Sequence, residues 1–346
     1  YSTAAFAAGT ITVNTPNDEF NSGVTCSLRE AIESANTDSD FGGCLRNIGG
    51  TPPYTVNFLA PATYTLSLAG ANSDDNATGD LDIRASMTID GGVGTVIVEA
   101  GPTFGSGIDR VFHVVADDLD VTFNALSVRH GRVLDDGGDS GGGIANSSAS
   151  TVTVQSSVVI SNSALGDEAN EGGGGLFNDL GGTLIITDTT ISNNDAAVGS
   201  GSGGGILNRA GSTLIVTNST INNNMAARAG GGIESNASPV TLSIVNLLEN
   251  LTGPTPGNGG GLHLTGAGTI TITDGTIVGN TATAEGGGLW NSAAGVMTVN
   301  GVTIRANTAS GAAANQGGGG LFNIGGILNV SNSTISDNIA DGASGS

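Results

Sequence analysis

Carboxylates and a few basic residues in the first half of the chain are the candidates for chemistry. Asp80 and Asp82 alternate along a short apolar run, so they would share one face of a strand. Two or three carboxylates on one face could hydrolyse a glycosidic bond. A calcium-dependent lyase would also need a basic proton acceptor beside them. Further candidate acids are Asp117, Asp118 and Asp120, and the candidate bases are Arg84, Arg110, Arg129 and Arg132.

The histidines do not strengthen a catalytic interpretation. His113, His130 and His263 are scattered along the chain, and no two of them have the spacing of metal ligands. The chain has no lysine, and all nine basic residues are arginine. We therefore expect no catalytic residue, and the pattern favours a protein that is not an enzyme.

Two acidic loops are candidates for structural calcium, which prefers oxygen ligands. Residues 135–139 and 167–171 follow one another in repeat order, but neither matches the EF-hand loop or the calcium-binding nonapeptide. A solvated acidic surface is the alternative interpretation, and no other cofactor is expected. The candidate ligands are Asp135, Asp136, Asp139, Asp167, Glu168 and Glu171.

A repeat of about 30 residues is the element that must position these side chains. A glycine run followed by one aliphatic residue recurs seven times, and aliphatic-x-x-Asn keeps step with it. Such a period is typical of a solenoid with one coil per repeat. Short β-branched runs, broken by Gly, Asn and Asp, predict three short strands in each coil. The aliphatic residues that follow the glycine runs are Ile144, Leu176, Ile206, Ile233, Leu262, Leu289 and Leu321.

The sequence therefore predicts an all-β fold, a right-handed parallel β-helix of about ten coils. Stacked coils place like positions above one another, so the aliphatic residues become an inner stripe. The asparagines can hydrogen-bond along the axis, and Asn also suits the left-handed backbone of a corner. The predicted structural ladder is Asn162, Asn194, Asn224, Asn250, Asn280, Asn307 and Asn338.

The N-terminal segment differs from the repeats and predicts a cap. Ser27 and Glu30 have the spacing of a capping box, and the apolar residues after Ser27 fall on one face of a short helix. Such a helix can cover the open strand edges at the end of the solenoid. The residues of this capping helix are Ser27, Leu28, Glu30, Ala31, Ile32 and Ala35.

Cys26 and Cys44 are the two cysteines of the chain. In an exported protein they would form a disulfide, and free thiols or half of a metal site are the alternatives. We divide the chain into residues 1–53 (strand, capping helix and disulfide loop), 54–140 (irregular coils) and 141–346 (seven regular repeats), all within one continuous solenoid. Residues 341–346 contain no capping segment, so we expect that either the natural polypeptide continues or the last coil meets another subunit, and a head-to-tail contact that does not close would make a filament.

Composition limits the partners. The formal net charge is −22, which argues against nucleic acid and anionic membranes. The sequence contains no run of 18 apolar residues, so it predicts no membrane-spanning segment. The small apolar residues 1–8 resemble the end of a signal peptide, so we expect a secreted or cell-surface protein. One Trp and three Tyr leave few platforms for sugar rings.

Residues 26–31, Cys-Ser-Leu-Arg-Glu-Ala, resemble the signature of bacterial CSLREA-domain proteins, and residues 63–91 resemble the segment that follows it. That resemblance implies an exported, right-handed β-helix protein of many repeats. The glycine-run and aliphatic-x-x-Asn pair is similar to the repeats of polymorphic outer-membrane proteins, which implies a surface adhesin. Here Ile or Leu stands where that family has Phe.

Three functions follow as hypotheses. The first is a structural or adhesive surface protein that self-associates through the solenoid ends or binds surface and matrix glycans. The second is an extracellular polysaccharide lyase or glycoside hydrolase, although the Gly-His-Gly and Arg-x-Lys motifs of hydrolase-type β-helices are absent. The third is a carbohydrate- or host-binding module that would use the inserted loops 164–171 and 309–316.

Overall fold

Each repeat folds into one turn of a parallel β-helix. The computed structural model describes residues 8–21, 23–47, 50–70, 73–134, 140–254 and 256–342. The alternation of Thr with Ile in residues 269–273 is typical of a strand that is buried on one face, and the structure buries Ile270 and Ile272 there. The strands of successive turns pair in parallel and form three sheets, which we number I to III.

Sheet I is the widest sheet, because most turns contribute two consecutive strands to it. Its strands are β1 (Ala8–Val13), β2 (Thr51–Phe58), β3 (Thr63–Thr65), β5 (Met87–Asp90), β6 (Val96–Glu99), β8 (Asp120–Asn124), β9 (Leu126–Arg129), β12 (Thr151–Gln155), β13 (Val158–Ile160), β16 (Thr183–Thr187), β17 (Thr190–Ser192), β20 (Thr213–Thr217), β21 (Thr220–Asn222), β24 (Pro239–Leu248), β27 (Thr269–Val278), β30 (Val296–Asn300), β31 (Thr303–Arg305), β34 (Ile327–Ser331) and β35 (Thr334–Ser336).

Sheets II and III contribute one strand to each turn. The strands of sheet II have two residues each and are β10 (Arg132–Val133), β14 (Ser163–Ala164), β18 (Asp195–Ala196), β22 (Met225–Ala226), β25 (Leu251–Thr252), β28 (Thr281–Ala282), β32 (Thr308–Ala309) and β36 (Ile339–Ala340). The strands of sheet III are β4 (Leu81–Ile83), β7 (Phe112–Val114), β11 (Ile144–Asn146), β15 (Leu176–Asn178), β19 (Ile206–Asn208), β23 (Ile233–Asn236), β26 (Leu262–Thr265), β29 (Leu289–Asn291) and β33 (Leu321–Asn323).

The fold class predicted from the repeat is confirmed. Within the described residues, sheet III has nine strands and sheet II has eight, so the solenoid has about nine turns where about ten were expected. The difference lies at the N-terminal end, where β1, β2 and β3 lengthen sheet I without partners in sheet III. The described part of the chain also holds no helix that is long and apolar enough to cross a membrane.

The core is a set of aliphatic ladders inside the solenoid. Ile144 pairs with Leu176, and Leu176 pairs with Ile206, so residues that follow glycine runs stack in register. All three are at most 1% exposed. Each such side chain contributes about 1.5–3 kcal/mol to folding by its burial.

Glycines precede these aliphatic residues because the backbone there is left-handed and leaves no room for a side chain. Gly259 has φ +63°, and a Cβ on it would lie 2.6 Å from the Cβ of His263. No L residue fits there without displacement of its neighbour.

The N-terminal cap is a helix held by a disulfide. Helix α1 (Leu28–Thr37) begins at Ser27, whose hydroxyl accepts the N–H of Glu30, while the Glu30 carboxylate accepts the N–H of Ser27. Leu28, Ala31, Ile32 and Ala35 are 0–3% exposed and join the core of the solenoid. The helix packs against β1, β2 and β4, and the expected disulfide joins Cys26 to Cys44.

Candidate functional site

A segment of residues 73–80, which we call the strap, precedes β4 of sheet III and contacts Asp82 of that strand through the backbone of Asn76. Arg29 of α1 is hydrogen-bonded to the backbone of the strap. The Arg29 guanidinium donates to the carbonyls of Gly79 and Asp80, each at 2.8 Å, and pairs with Asp18 at 2.7 Å. Arg29 is 1% exposed, so this contact fixes the position of the strap relative to the helix.

Three side chains of the first two turns meet two carboxylates of the strap, those of Asp74 and Asp80. Asp82 of β4 and His113 of β7 are register partners whose neighbours Leu81, Ile83, Phe112 and Val114 face the core. Both side chains therefore point away from the core. We call the group the Asp–His cluster; its members are Asp74, Asp80, Asp82, Arg110 and His113.

The Nδ1 atom of His113 lies at the centre of the Asp–His cluster. It is 3.6 Å from Oδ1 of Asp74, 3.6 Å from Oδ1 of Asp82 and 3.8 Å from Oδ2 of Asp80. Nη1 of Arg110 lies 3.2 Å from the same nitrogen and 3.0 Å from Oδ2 of Asp80. Three carboxylates, one imidazole and one guanidinium thus share a small volume.

The two oxygens of Asp82 have different surroundings. Oδ2 accepts the backbone N–H of Asn76 at 2.9 Å, and the Asn76 side chain accepts the N–H of Asp82 in return. Oδ1 is buried and has no hydrogen-bond partner, although the residue is 0% exposed. A buried carboxylate oxygen without a partner is costly, and it calls for a physical explanation.

Burial sets the protonation of the Asp–His cluster. Desolvation raises the pKa of the Asp82 carboxyl to about 7, although the N–H of Asn76 opposes the shift. Desolvation also raises the pKa of Asp80 well above its ordinary value, against the positive charge of Arg110. Desolvation, aided by Arg110, lowers the pKa of His113 to about 3. The imidazole is therefore neutral at physiological pH and keeps a lone pair for an acceptor or ligand role.

The other sequence-predicted acids do not join this cluster. Asp120 begins β8 in sheet I and is exposed, and Asp117 lies in the turn before it, where its carboxylate accepts the N–H of Ala149. Asp118 occupies the same turn with a positive φ. Asp80 and Asp82 thus share one site, as their spacing predicts, whereas Asp117, Asp118 and Asp120 lie in β8 and the turn before it.

Among the candidate bases, Arg110 belongs to the Asp–His cluster, and Arg84 donates to the backbone carbonyl of Asp74 at 2.9 Å. Arg84 pairs with Glu33 at 2.6 Å, and Arg129 pairs with Glu99 at 2.7 Å. Arg132 lies in sheet II, away from the Asp–His cluster. His130 approaches the carbonyl of Gly101 at 2.9 Å.

A second polar cluster, which the sequence did not reveal, lies on the outer face of sheet III. Glu234 is 0% exposed and contacts Nδ1 of His263 and the hydroxyl of Thr265, each at 2.7 Å. The Trp290 ring stacks on His263 with centroids 4.1 Å apart, and its N–H donates to Glu285. Glu234, His263 and Trp290 occupy one register position after the glycine runs of successive turns, and that shared position is the signal that could have identified them.

The predicted asparagines form a continuous buried hydrogen-bond ladder. The side-chain amide of each donates to the Oδ1 of the next at 2.9–3.0 Å, from Asn162 through to Asn338. A shorter ladder joins Asn146, Asn178 and Asn208. The expectation that the ladder asparagines themselves adopt a left-handed backbone is wrong. The residue before each one has the positive φ, as in Asn193 and Asn223, because the ladder side chain must point inward from the next position.

The two acidic loops differ in what the structure describes. Asp135, Asp136 and Asp139 lie outside the described residues. In the second loop, the Glu171 carboxylate accepts the N–H of Glu168, and the backbone of Asp167 accepts the N–H of Ser200. In the described part of the chain, the group whose ligand atoms all lie within 4.8 Å of one another is instead Asp74, Asp82 and His113.

Comparison with known proteins reveals a likeness of fold. No protein-family model matches the chain, and no curated protein matches it. The crystal structure of pectate lyase Pel9A is similar, with a TM-score of 0.54 and 13% sequence identity. The match covers 97% of this chain and 79% of that chain. At this identity the likeness concerns the β-helix alone.

Proposed function

We propose that this chain is an extracellular or cell-surface β-helix protein with a structural or adhesive role and without enzymatic activity. The observation that carries the proposal is the use of its buried polar side chains. Asp80 of the strap and Asp82 of β4 are 1% and 0% exposed, and the asparagines are hydrogen-bonded to each other along the axis. These groups hold successive turns together, which is what a scaffold requires.

An extracellular location is supported by the disulfide and by the surface charge. Disulfides persist in oxidising compartments, and Cys26 and Cys44 are joined. A net charge of −22 without any lysine keeps an elongated body soluble and apart from other acidic surfaces.

Membership of the CSLREA-domain proteins is part of the same proposal. Its support is local: Cys26 of the signature forms the disulfide, Ser27 and Glu30 form the capping box, and Arg29 anchors the strap. Each polar residue of the motif thus has a task in joining the cap to the first turns. The adhesive role carried by the similarity to polymorphic outer-membrane repeats has no such local support and rests on the repeat pattern.

A second candidate is a polysaccharide lyase or hydrolase, and two observations favour it. The fold resembles that of a pectate lyase, and the Asp–His cluster combines carboxylates with a neutral imidazole and a guanidinium. Against it, a polymer needs an open groove, whereas Asp80 of the strap and Asp82 beside it are both buried. If this candidate were right, the protein would release unsaturated or reducing-end products from acidic glycans.

Self-association through the solenoid ends and binding of glycans stay predictions. In the last described turn, Val330 and Ile335 are 39% and 51% exposed, whereas the equivalent Val299 and Ile304 one turn earlier are 0% exposed. A concentration series in light scattering tests association: a mass that rises in multiples of the monomer supports it, and a constant mass contradicts it.

Localisation on intact producing cells tests the main proposal. Antibodies raised against the folded, disulfide-bonded protein should label unpermeabilised cells or detect the protein in the medium. A cytoplasmic protein serves as the control for lysis. Detection only after permeabilisation, with both cysteines reduced, would contradict an extracellular scaffold.

A further inference from the structure

The unpartnered Oδ1 of Asp82 is the starting point. This oxygen is fully buried, makes no hydrogen bond and lies 3.6 Å from Nδ1 of His113. Its other oxygen is satisfied by Asn76, so the side chain is held in place while one lone-pair face stays open towards the histidine. Burial of such a group costs free energy unless another group occupies the space in front of it.

We propose that Asp74, Asp82 and His113 form a binding site for a divalent transition-metal ion, with zinc as the representative ion. Ligand atoms at 2.0–2.2 Å from a tetrahedral ion are separated by roughly 3.3–3.6 Å. Nδ1 of His113 lies 3.6 Å from the nearest oxygen of Asp74 and of Asp82. All three ligand atoms lie within 4.8 Å of one another, which leaves only a small adjustment on binding.

The ligand set selects the class of metal. An imidazole nitrogen with two carboxylates suits zinc and its neighbours in the first transition series. Calcium takes six to eight oxygen ligands, and this site offers a nitrogen in place of one of them. The site therefore differs in ligand type and place from the acidic loops at residues 135–139 and 167–171.

Local charge favours a cation. Three carboxylates, those of Asp74, Asp80 and Asp82, lie within 3.8 Å of Nδ1 of His113, and the guanidinium of Arg110 pairs with Asp80 among them. Arg110 contacts Asp80 at 3.0 Å and His113 at 3.2 Å. On metal binding its nitrogen must leave His113, while its contact with Asp80 can remain.

The ion would tie the strap to the solenoid. Asp74 belongs to the strap, Asp82 to β4 and His113 to β7, so three segments from two successive turns share one centre. The Asp74 side chain is 71% exposed, so an ion can enter from the solvent side. The site is thus structural: it closes the strap over the first turns on one side, opposite the contact that Arg29 makes.

Titration of the intact chain with Zn²⁺ tests this proposal. The protein, free of affinity tags and treated with chelator, should bind one Zn²⁺ per chain by calorimetry. Asp74→Asn and His113→Gln should each raise the dissociation constant for Zn²⁺ by at least about tenfold, as expected for loss of a ligand. Co²⁺ in place of zinc should give the visible absorption bands of a four-coordinate ion.

Matched variants separate this site from other metal contacts. His130→Gln removes another partly buried imidazole, and Asp120→Asn removes another exposed carboxylate; both should bind Zn²⁺ like the unmodified chain. Asp74 is exposed, so Asp74→Asn tests the ligand without a folding defect. The proposal is overturned if Zn²⁺ does not bind at one equivalent, if Asp74→Asn and His113→Gln leave binding unchanged, or if Ca²⁺ competes as well as Zn²⁺.

Discussion

Ile244 occupies a corner of the solenoid where other turns place residues that tolerate a left-handed backbone. Its φ is +56°, and the equivalent residues of neighbouring turns are Asn218, Asp274 and Gly301. A β-branched residue in this region is strained by about 1–3 kcal/mol. Its side chain is 52% exposed, so little burial offsets the strain.

Ile244→Asn should therefore raise the free energy of unfolding by about 1 kcal/mol. Chemical denaturation at neutral pH measures this difference. The control is Val93→Asn, because Val93 is 97% exposed and lies outside the positive-φ positions. The control should change stability little, and a loss of stability in Ile244→Asn would show that the isoleucine makes contacts that outweigh the strain.

Asp195 provides a pH dependence away from the Asp–His cluster. Burial raises the pKa of its carboxyl, and the N–H of Ala197 opposes the shift only in part. Because the folded state holds this proton more tightly than the unfolded state, the group's stabilising contribution is present at low pH. It is lost as the pH rises through the folded-state pKa.

Asp195→Asn keeps an oxygen acceptor for the N–H of Ala197 and removes the titration. The variant should be more stable than the unmodified chain at pH 7, and this advantage should shrink as the pH falls towards about 4. Thermal unfolding between pH 3.5 and 8 measures it. An advantage that stays constant across this range would mean that burial of the charge is not the cause.

At the scale of the element, the asparagine ladder is the device that joins one turn to the next. Asn224 accepts the backbone and side-chain N–H groups of Asn194 and donates to Ile191 and Asn250. All of these groups are buried, so loss of the side chain leaves several donors and acceptors unpaired. Each unpaired group costs about 1–3 kcal/mol.

Asn224→Ala should therefore lower the free energy of unfolding by roughly 3–5 kcal/mol. Asn338→Ala is the matched control in the last rung, because Asn338 is only part-buried, accepts from Asn307 and donates to one carbonyl. Its loss should be smaller, and urea unfolding of the two variants gives the comparison. Equal losses of unfolding free energy in the two variants would indicate that burial does not increase the contribution of a ladder asparagine to stability.

The elements were predictable where a pattern repeats and hidden where it does not. The glycine runs and aliphatic-x-x-Asn placed Leu176, Ile191 and Asn194 correctly inside each turn. The strands of sheet II escaped because a pair such as Asp195–Ala196 is too short for any periodicity. The capping helix could be predicted because Ser27 and Glu30 have the spacing of a capping box.

Only the carboxylate pair of the Asp–His cluster, Asp80 and Asp82, could be predicted from the sequence. The alternation of Asp80 and Asp82 indicated a shared face, but His113 joins them through the pairing of β4 with β7. No glycine run marks those early turns, so their register could not be assigned from the sequence. Arg29 was hidden for a similar reason, because its partners Gly79 and Asp80 lie some 50 residues away.

The whole molecule is one apolar core enclosed by three sheets, with polar groups at the corners and under the strap. Its likeness to a pectate lyase at 13% identity extends along 97% of the chain, yet a shared fold does not carry a shared reaction. What separates a scaffold from an enzyme here is whether the Asp–His cluster acts on a substrate or only holds the first turns.

Product formation from acidic polysaccharides tests that distinction most directly. The disulfide-intact chain is incubated with pectate and other acidic glycans in the presence of Ca²⁺ or Zn²⁺, and unsaturated uronates and new reducing ends are followed over time. The scaffold account predicts no product above the protein-free control, for the unmodified chain and for Asp82→Asn alike. Product released by the unmodified chain and lost in a folded Asp82→Asn variant would contradict it.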